Sequence, residues 1–280
     1  MANYEVFSDY KELLQHVERL RRHHDHLKTL DDCYTYMRQK ETYDRMEDPN
    51  FLCDKVKMKE LDASYFTSLI IKLSVEQGKE FFYKVQQGYS QLKNLVERFD
   101  PSASVEIYFD SAHITIKSLE DGSQQDITAL RRYLPIIAPI IDKWINLMGG
   151  ETVLFGVGFF TNLHRAKGLS VGVKFYPSLP LIQVIRGEVG NILYEKDIGI
   201  PLRPENVFHT MLTHSTGFRA RNLHFPMKSS FISEFKKTLE SFDQIVFGAI
   251  SNIRLEDVFV RNGYSDKLVT VAEVSMEENG

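Results

Sequence analysis

The chain is poor in cysteine. Cys33 and Cys53 are its two thiols, too few for a disulfide framework and without Cys-x-x-Cys spacing. Ordinary thiols in a reducing compartment are therefore expected. Long apolar runs are missing as well: no stretch approaches the roughly 20 residues of a membrane span. The opening Met1-Ala2-Asn3-Tyr4-Glu5 lacks the basic region and apolar run of a secretory signal. The expected location is cytoplasmic, with no membrane partner. Nor is there a surplus of positive charge, the formal net charge being −4. That argues against a general nucleic-acid coat, and no DNA-duplex binding is expected. A protein that handles one nucleotide or one RNA end remains allowed, because a local Arg/Lys cluster suffices for that. Gly156 and Gly158 do not make a dinucleotide loop, since no helix follows at the required place.

What is present is an ordinary globular composition, 43% hydrophobic and 26% charged over 280 residues. This fits one large domain or a domain of about 180 residues with an appended segment. In residues 7–45, Leu13, Leu14, Val17, Leu20, Leu27 and Leu30 recur at three- and four-residue steps, predicting helix with one buried face. Asp48-Pro49-Asn50 and a lysine-rich stretch then divide the chain into an N-terminal helical extension, 1–62, and a main body, 63–280.

In the main body, Tyr65–Val75 reads as strand and 76–98 as helix, closed by Asp100-Pro101. Val105–Leu119 reads as one long strand. Residues 126–147 form an apolar helix in which Pro135 and Pro139 imply a kink or break. Thr152–Thr161 and Leu169–Tyr176 read as strands, with a helix from Pro180 to about Tyr194. Val207–Thr213 is a short strand and Ser229–Phe242 a helix. Ile245–Val260 and Lys267–Val274 form a closing hairpin at Asn262-Gly263. Strand–helix–strand thus occurs twice, with a histidine in a strand of each half.

The first of these is His113. Alternation along Val105–Lys117 puts His113, Thr115 and Lys117 on one face of a strand, with Ile114 and Ile116 on the other. An imidazole, a hydroxyl and an ammonium suit a phosphate site, which needs a proton-transfer group near neutral pKa and donors for the non-bridging oxygens. A solvated edge face would read the same way. The second histidine lies in Pro204-Glu205-Asn206-Val207-Phe208-His209-Thr210-Met211-Leu212-Thr213-His214, where His209, Met211 and Thr213 share one face.

With both motifs in view, the chain resembles the 2H phosphoesterase superfamily, over roughly residues 64–276. Members of that family carry two His-x-Thr/Ser motifs on strands of two similar lobes facing each other across a cleft. The resemblance implies an α+β fold, two-lobed, of mainly antiparallel sheets with flanking helices. His113 and Thr115 match the first motif. For the second, His209 follows the usual lead-in but has Met211 in place of the hydroxyl, which Thr210 or Thr213 would then replace. The frame His214-Ser215-Thr216 keeps His-x-Thr but meets Gly217 where a strand would be continuing. His209 is the preferred partner on this ground.

The implied activity is a phosphodiesterase (a hydrolase) acting on 2′,3′-cyclic phosphates or related nucleotide and RNA-end linkages. It needs no metal and no cofactor: one neutral imidazole takes a proton, and the other, protonated, gives one. The alternative is a catalytically weakened protein that binds nucleotides or RNA ends on the same fold.

Lys117, Thr210, Thr213 and Arg219 are the candidate substrate contacts, with Arg221 close by. Each remaining candidate has a plainer alternative. His23, His24 and His26 fit a solvated helix face better than a metal site. His164 fits a surface turn, and His224 a loop. Tyr108, Phe109 and Phe155 fit core as readily as base-stacking platforms.

Overall fold

The computed structural model describes residues 7, 9–22, 31–51, 66–74, 76–109, 112–121, 127–148, 151–165, 168–195, 213–254, 258–262 and 268–270. The chain is α+β. Its helices are α1 (Tyr10–Arg22), α2 (Asp31–Glu47), α3 (Lys79–Phe99), α4 (Ile127–Met148), α5 (Leu181–Glu195) and α6 (Ser229–Glu240). Its strands are β1 (Phe66–Lys72), β2 (Ser104–Ile107), β3 (His113–Asp121), β4 (Glu151–His164), β5 (Gly168–Pro177), β6 (Thr213–Arg221), β7 (Val246–Arg254), β8 (Val258–Asn262) and β9 (Leu268–Thr270). Two antiparallel sheets result, a smaller one ordered β3-β1-β8-β9 and a larger one ordered β2-β6-β5-β4-β7.

The larger sheet is built on its apolar content. In α3, Phe81, Val85, Tyr89, Leu92 and Val96 recur at helical spacing and are buried, so one stripe of the helix lies on the sheet. Each fully buried aromatic of this set contributes about 2–3 kcal/mol by removal from water. Along β4, Leu154 joins this main core, while Val153, Phe155 and Val157 point to the opposite face and pack on Phe7, Leu13 and Val17 of the N-terminal section. The sheet is therefore covered on both faces, by α3 and α6 on one and α1 on the other. Beyond Val157, β4 loses its β7 neighbour. There α2 lies against the strand, Thr42 and Arg45 donating to the carbonyls of Thr161 and Leu163. Side chains thus satisfy backbone groups that a further strand would have taken.

Three expectations change. Val105–Leu119 is not one strand: β2 belongs to the larger sheet and β3 to the smaller, and Ala112 N–H donates to Phe109 O in the turn between them. Ile245–Val260 divides in the same way, β7 lying in the larger sheet and β8 in the smaller. The closing hairpin is formed by β8 and β9. Helix α4 runs without a break through Pro135 and Pro139. The prolines stand four apart, and burial of Ile137, Ile140 and Ile141 offsets the lost backbone bonds. Of the strand expected at Val207–Thr213, residues 207–212 lie outside the described residues, and β6 is described from Thr213 to Arg221. Gly156 and Gly158 both lie within β4. Gly158 has φ +57° at the point where the ladder shifts register, a bulge that a side chain would strain.

Candidate active site

The site follows from the place where the two sheets meet. Strand β2 covers one edge of β6 from Arg221 to Phe218, and Tyr108 N–H adds one more bond to Gly217 O. The chain then turns away through Phe109 to Ala112 and enters β3 at His113. At that point Leu73 N–H, just past the end of β1, donates to Ala112 O. The edge of β6 over Thr213–Thr216 is thereby left to face β3, and the two strands are in contact. Ala112, next to His113, and Ser215, Thr216 and Gly217, next to His214, line one small cavity floored by Phe81, Phe82, Val85 and Tyr89. The beginnings of the two strands converge there.

On β3, Ile114 and Ile116 are buried while His113 and Thr115 are half-buried. Alternation thus puts the apolar pair into the core and the imidazole and hydroxyl on the other face. His113 stands opposite Lys72 in the ladder, and Thr115 opposite Ile70. Lys117 follows on β3, opposite Leu69. Arg186 of α5 ties β3 down, its Nε donating to Ile116 O at 2.9 Å and its Nη2 to Thr115 O at 3.1 Å.

On β6, His214 stands opposite Lys174 of β5, Thr216 opposite Gly172, and Thr213 opposite Phe175. Thr216 is half-buried. Ser215 is buried on the other face, its Oγ without a hydrogen-bond partner among the described residues. The objection that Gly217 would end the strand does not hold. A glycine inside a strand also marks a bulge or a close backbone approach, and both occur here. The ladder with β5 shifts register between Val171 and Gly172, beside Gly217. A Cβ on Gly217 would come within 2.8 Å of the Tyr89 ring and 3.1 Å of Tyr108 O. His209, Thr210 and Met211 lie outside the described residues.

Beyond the bulge, Arg219 stands opposite Glu106 on one side and Ser170 on the other, with its guanidinium 5.7 Å from the centre of the Tyr108 ring. Burial raises the Tyr108 phenol above its ordinary pKa; Arg219 lowers it in part and Glu106 adds to the rise. Burial likewise holds Tyr89 protonated, Tyr108 adding to the effect and a backbone hydrogen bond with Gly217 opposing it. Two neutral phenols therefore flank Gly217. Phe155 is fully buried, and Phe109 stacks on Tyr89 with ring centres 5.9 Å apart, so both serve the core.

The remaining candidates lie elsewhere. His164 is exposed at the end of β4, and Arg165 beside it lies 5.8 Å from the centre of the Phe51 ring. Arg221 ends β6 opposite Ser104. His224 is tied to Asp100, its backbone N–H donating to Oδ2 at 2.8 Å and its Nδ1 lying 3.1 Å from the same oxygen. Ser102 Oγ donates to Asp100 Oδ1 at 2.6 Å. Both Ser102 and Asp100 approach the same ring nitrogen of His224, so the three do not form a nucleophile–base relay. His23, His24, His26 and Cys53 lie outside the described residues. Among the described residues no three His, Cys, Asp or Glu side chains gather as a metal site, and no helix is long and apolar enough to cross a membrane. Lys72 and Lys174, each opposite a motif histidine, were not visible from the sequence, because strand pairing decides which residues face one another.

No protein-family model and no curated protein matches the chain. Among solved structures it is similar to that of Kluyveromyces marxianus Usb1 with uridine monophosphate, at 14% identity and a TM-score of 0.38, covering 74% of this chain and 96% of that one.

Proposed function

We propose that the chain is a phosphodiesterase of the 2H type, acting on 2′,3′-cyclic phosphates or related linkages at RNA ends and in nucleotides. The observation that carries this reading is the contact between β3 and β6, each strand bearing a His-x-Thr triplet at its start. His113 with Thr115 and His214 with Thr216 form the two half-sites. His209 with Thr210 is the competing second half-site. One imidazole removes a proton from the attacking oxygen and the other protonates the leaving oxygen. The two threonine hydroxyls hold the non-bridging oxygens as charge builds in the transition state. Arg219, Lys117 and Thr213 are the proposed contacts to the rest of a nucleotide. RNA ends and nucleotides are the partners this chemistry fits.

Purified protein incubated with 2′,3′-cyclic nucleotides and with short RNAs ending in a cyclic phosphate, in the presence of a chelator, is expected to open the ring. His113→Ala and His214→Ala are expected to abolish turnover, with His209→Ala retaining it. If no member of the panel is converted, and His113→Ala binds nucleotide as the parent does, the enzyme reading fails. Loss of turnover in His209→Ala with retention in His214→Ala would move the second half-site to His209.

A further inference from the structure

Gly217 is the extra residue of the bulge in β6, and that bulge decides which face of the larger sheet the end of the strand presents. Before it, Thr216 pairs with Gly172; after it, Phe218 pairs with Val171 and Arg219 with Ser170. Gly172 and Ser170 are two apart on β5 and share a face, so Thr216 and Arg219 share one as well. In a regular strand, residues three apart point to opposite faces. The bulge therefore turns Arg219 away from the core that Phe218 and Ala220 enter. Arg221 follows on the same face, Arg219 and Arg221 standing opposite Glu106 and Ser104 of β2. A threonine and two arginines thus succeed one another in strand steps of about 7 Å.

The surroundings of Arg219 suit an anion. Its Nε is buried and has no hydrogen-bond partner among the described residues. A buried donor of that kind calls for an acceptor. The guanidinium lies over the Tyr108 ring, 5.7 Å from its centre, which takes up one face of that ring. Burial raises the Tyr108 phenol above its ordinary pKa, so it stays an O–H donor. The carboxylate across the ladder, on Glu106, is exposed, and solvent screens it. A guanidinium fork and a neutral phenol together present the donors that phosphate oxygens accept.

Resting on the phosphodiesterase reading above, we propose that Arg219, with Tyr108 beside it and Arg221 beyond it, binds a second phosphate, the one on the 5′ oxygen of the nucleoside whose 2′,3′-cyclic phosphate reacts. One ribose separates those two phosphates, and one two-residue strand step separates Thr216 from Arg219. The preferred substrate then carries phosphate on both sides of its ribose, and a cyclic nucleotide with a free 5′ hydroxyl is a poor one. Two sources supply the second group: a terminal 5′ phosphate, or the diester linkage to a preceding nucleotide of an RNA. Arg219 takes no part in proton transfer and selects the substrate by its charge.

The test compares kcat/KM on the full chain for three substrates: a 2′,3′-cyclic nucleotide with a free 5′ hydroxyl, the same nucleotide with a 5′ phosphate, and a dinucleotide ending in the same cyclic phosphate. The wild type should favour at least one of the last two over the first by roughly tenfold or more, the worth of a charge-assisted contact. Either preference upholds the subsite, and the larger one names the source. Arg219→Gln should bring the ratio to about one, and Arg219→Lys should keep a few-fold margin. Equal rates on all three substrates in the wild type overturn the assignment. So does an equal loss on all three in an Arg219→Gln protein of unchanged Tm, which would put Arg219 on the reacting phosphate. Calorimetry gives a readout apart from turnover, the affinity for a nucleoside 3′,5′-bisphosphate against the 3′-monophosphate. The bisphosphate should bind about tenfold tighter in the wild type and lose most of that margin in Arg219→Gln. Tyr108→Phe, which removes one hydroxyl and little packing, should narrow it a few-fold. If the wild type converts no cyclic phosphate, the phosphodiesterase reading fails while this margin still upholds the second-phosphate site. A margin that is the same in the variants as in the wild type removes the site whatever the turnover.

Discussion

The β1–β3 half of the site and the β5–β6 half reach the same local pattern from opposite surroundings. In the β5–β6 half, the triplet lies on the stretch of β6 that β2 leaves uncovered, in a five-stranded sheet held between α3 and α1. Its lysine is buried and ion-paired. In the β1–β3 half, the triplet begins an edge strand of a four-stranded sheet, entered straight from a turn and secured by the guanidinium of Arg186. Its lysine is exposed. One half thus carries a buried ion pair across the ladder from its histidine, the other an exposed lysine.

The largest effects should come from removing the histidines. His113→Ala and His214→Ala are each expected to lower kcat by about 10²–10⁴, and steady-state rates on a cyclic nucleotide check this. A loss confined to His113 would break the equivalence of the two halves. Next come the hydroxyls: Thr115→Val and Thr216→Val should each cost roughly 10–10² in kcat, with less effect on KM, if both hold oxygens in the transition state. Unequal losses would show which half carries more of the developing charge.

Gly217→Ala probes the packing on which the β6 half depends. A Cβ there presses on the Tyr89 ring and the Tyr108 carbonyl, so a destabilisation of about 1–3 kcal/mol is expected in denaturant unfolding. The smallest effect concerns the link between the end of α3 and the loop after β6. Asp100 has its pKa lowered: burial opposes the shift, but hydrogen bonds from Ser102 and from the backbone and ring of His224, together with the His224 charge, outweigh it. A depressed folded-state pKa gives stability that is present above the unfolded value of about 3.9 and is lost as pH falls through the folded value. Asp100→Asn should therefore lower the Tm slightly at pH 7, with the gap to wild type closing below about pH 4.

Much of this architecture was legible in the chain. The helical stripe of α3, the alternation of His113, Ile114, Thr115 and Ile116, and the strand–helix–strand order of both halves follow from periodicity. The errors share a cause. Val105–Leu119 looks like one strand because a change of sheet leaves no mark on alternation. Gly217 looks like a terminator because propensity is local, whereas the approach of Tyr89 and Tyr108 that requires a glycine is not. The choice between His209 and His214 rests on the variants proposed above, His209 lying outside the described residues.

The sequence by itself determined which residues are apolar, how they repeat, and that histidine and threonine recur two apart in two strands. Those are properties of neighbours along the chain. Only the tertiary structure decided that β2 hands over to β3 at the edge of β6, that Ala112 and Ser215 line one cavity, and that a lysine faces each histidine. Such pairings join residues far apart in sequence, and hydrogen-bond register and burial select them rather than any local preference.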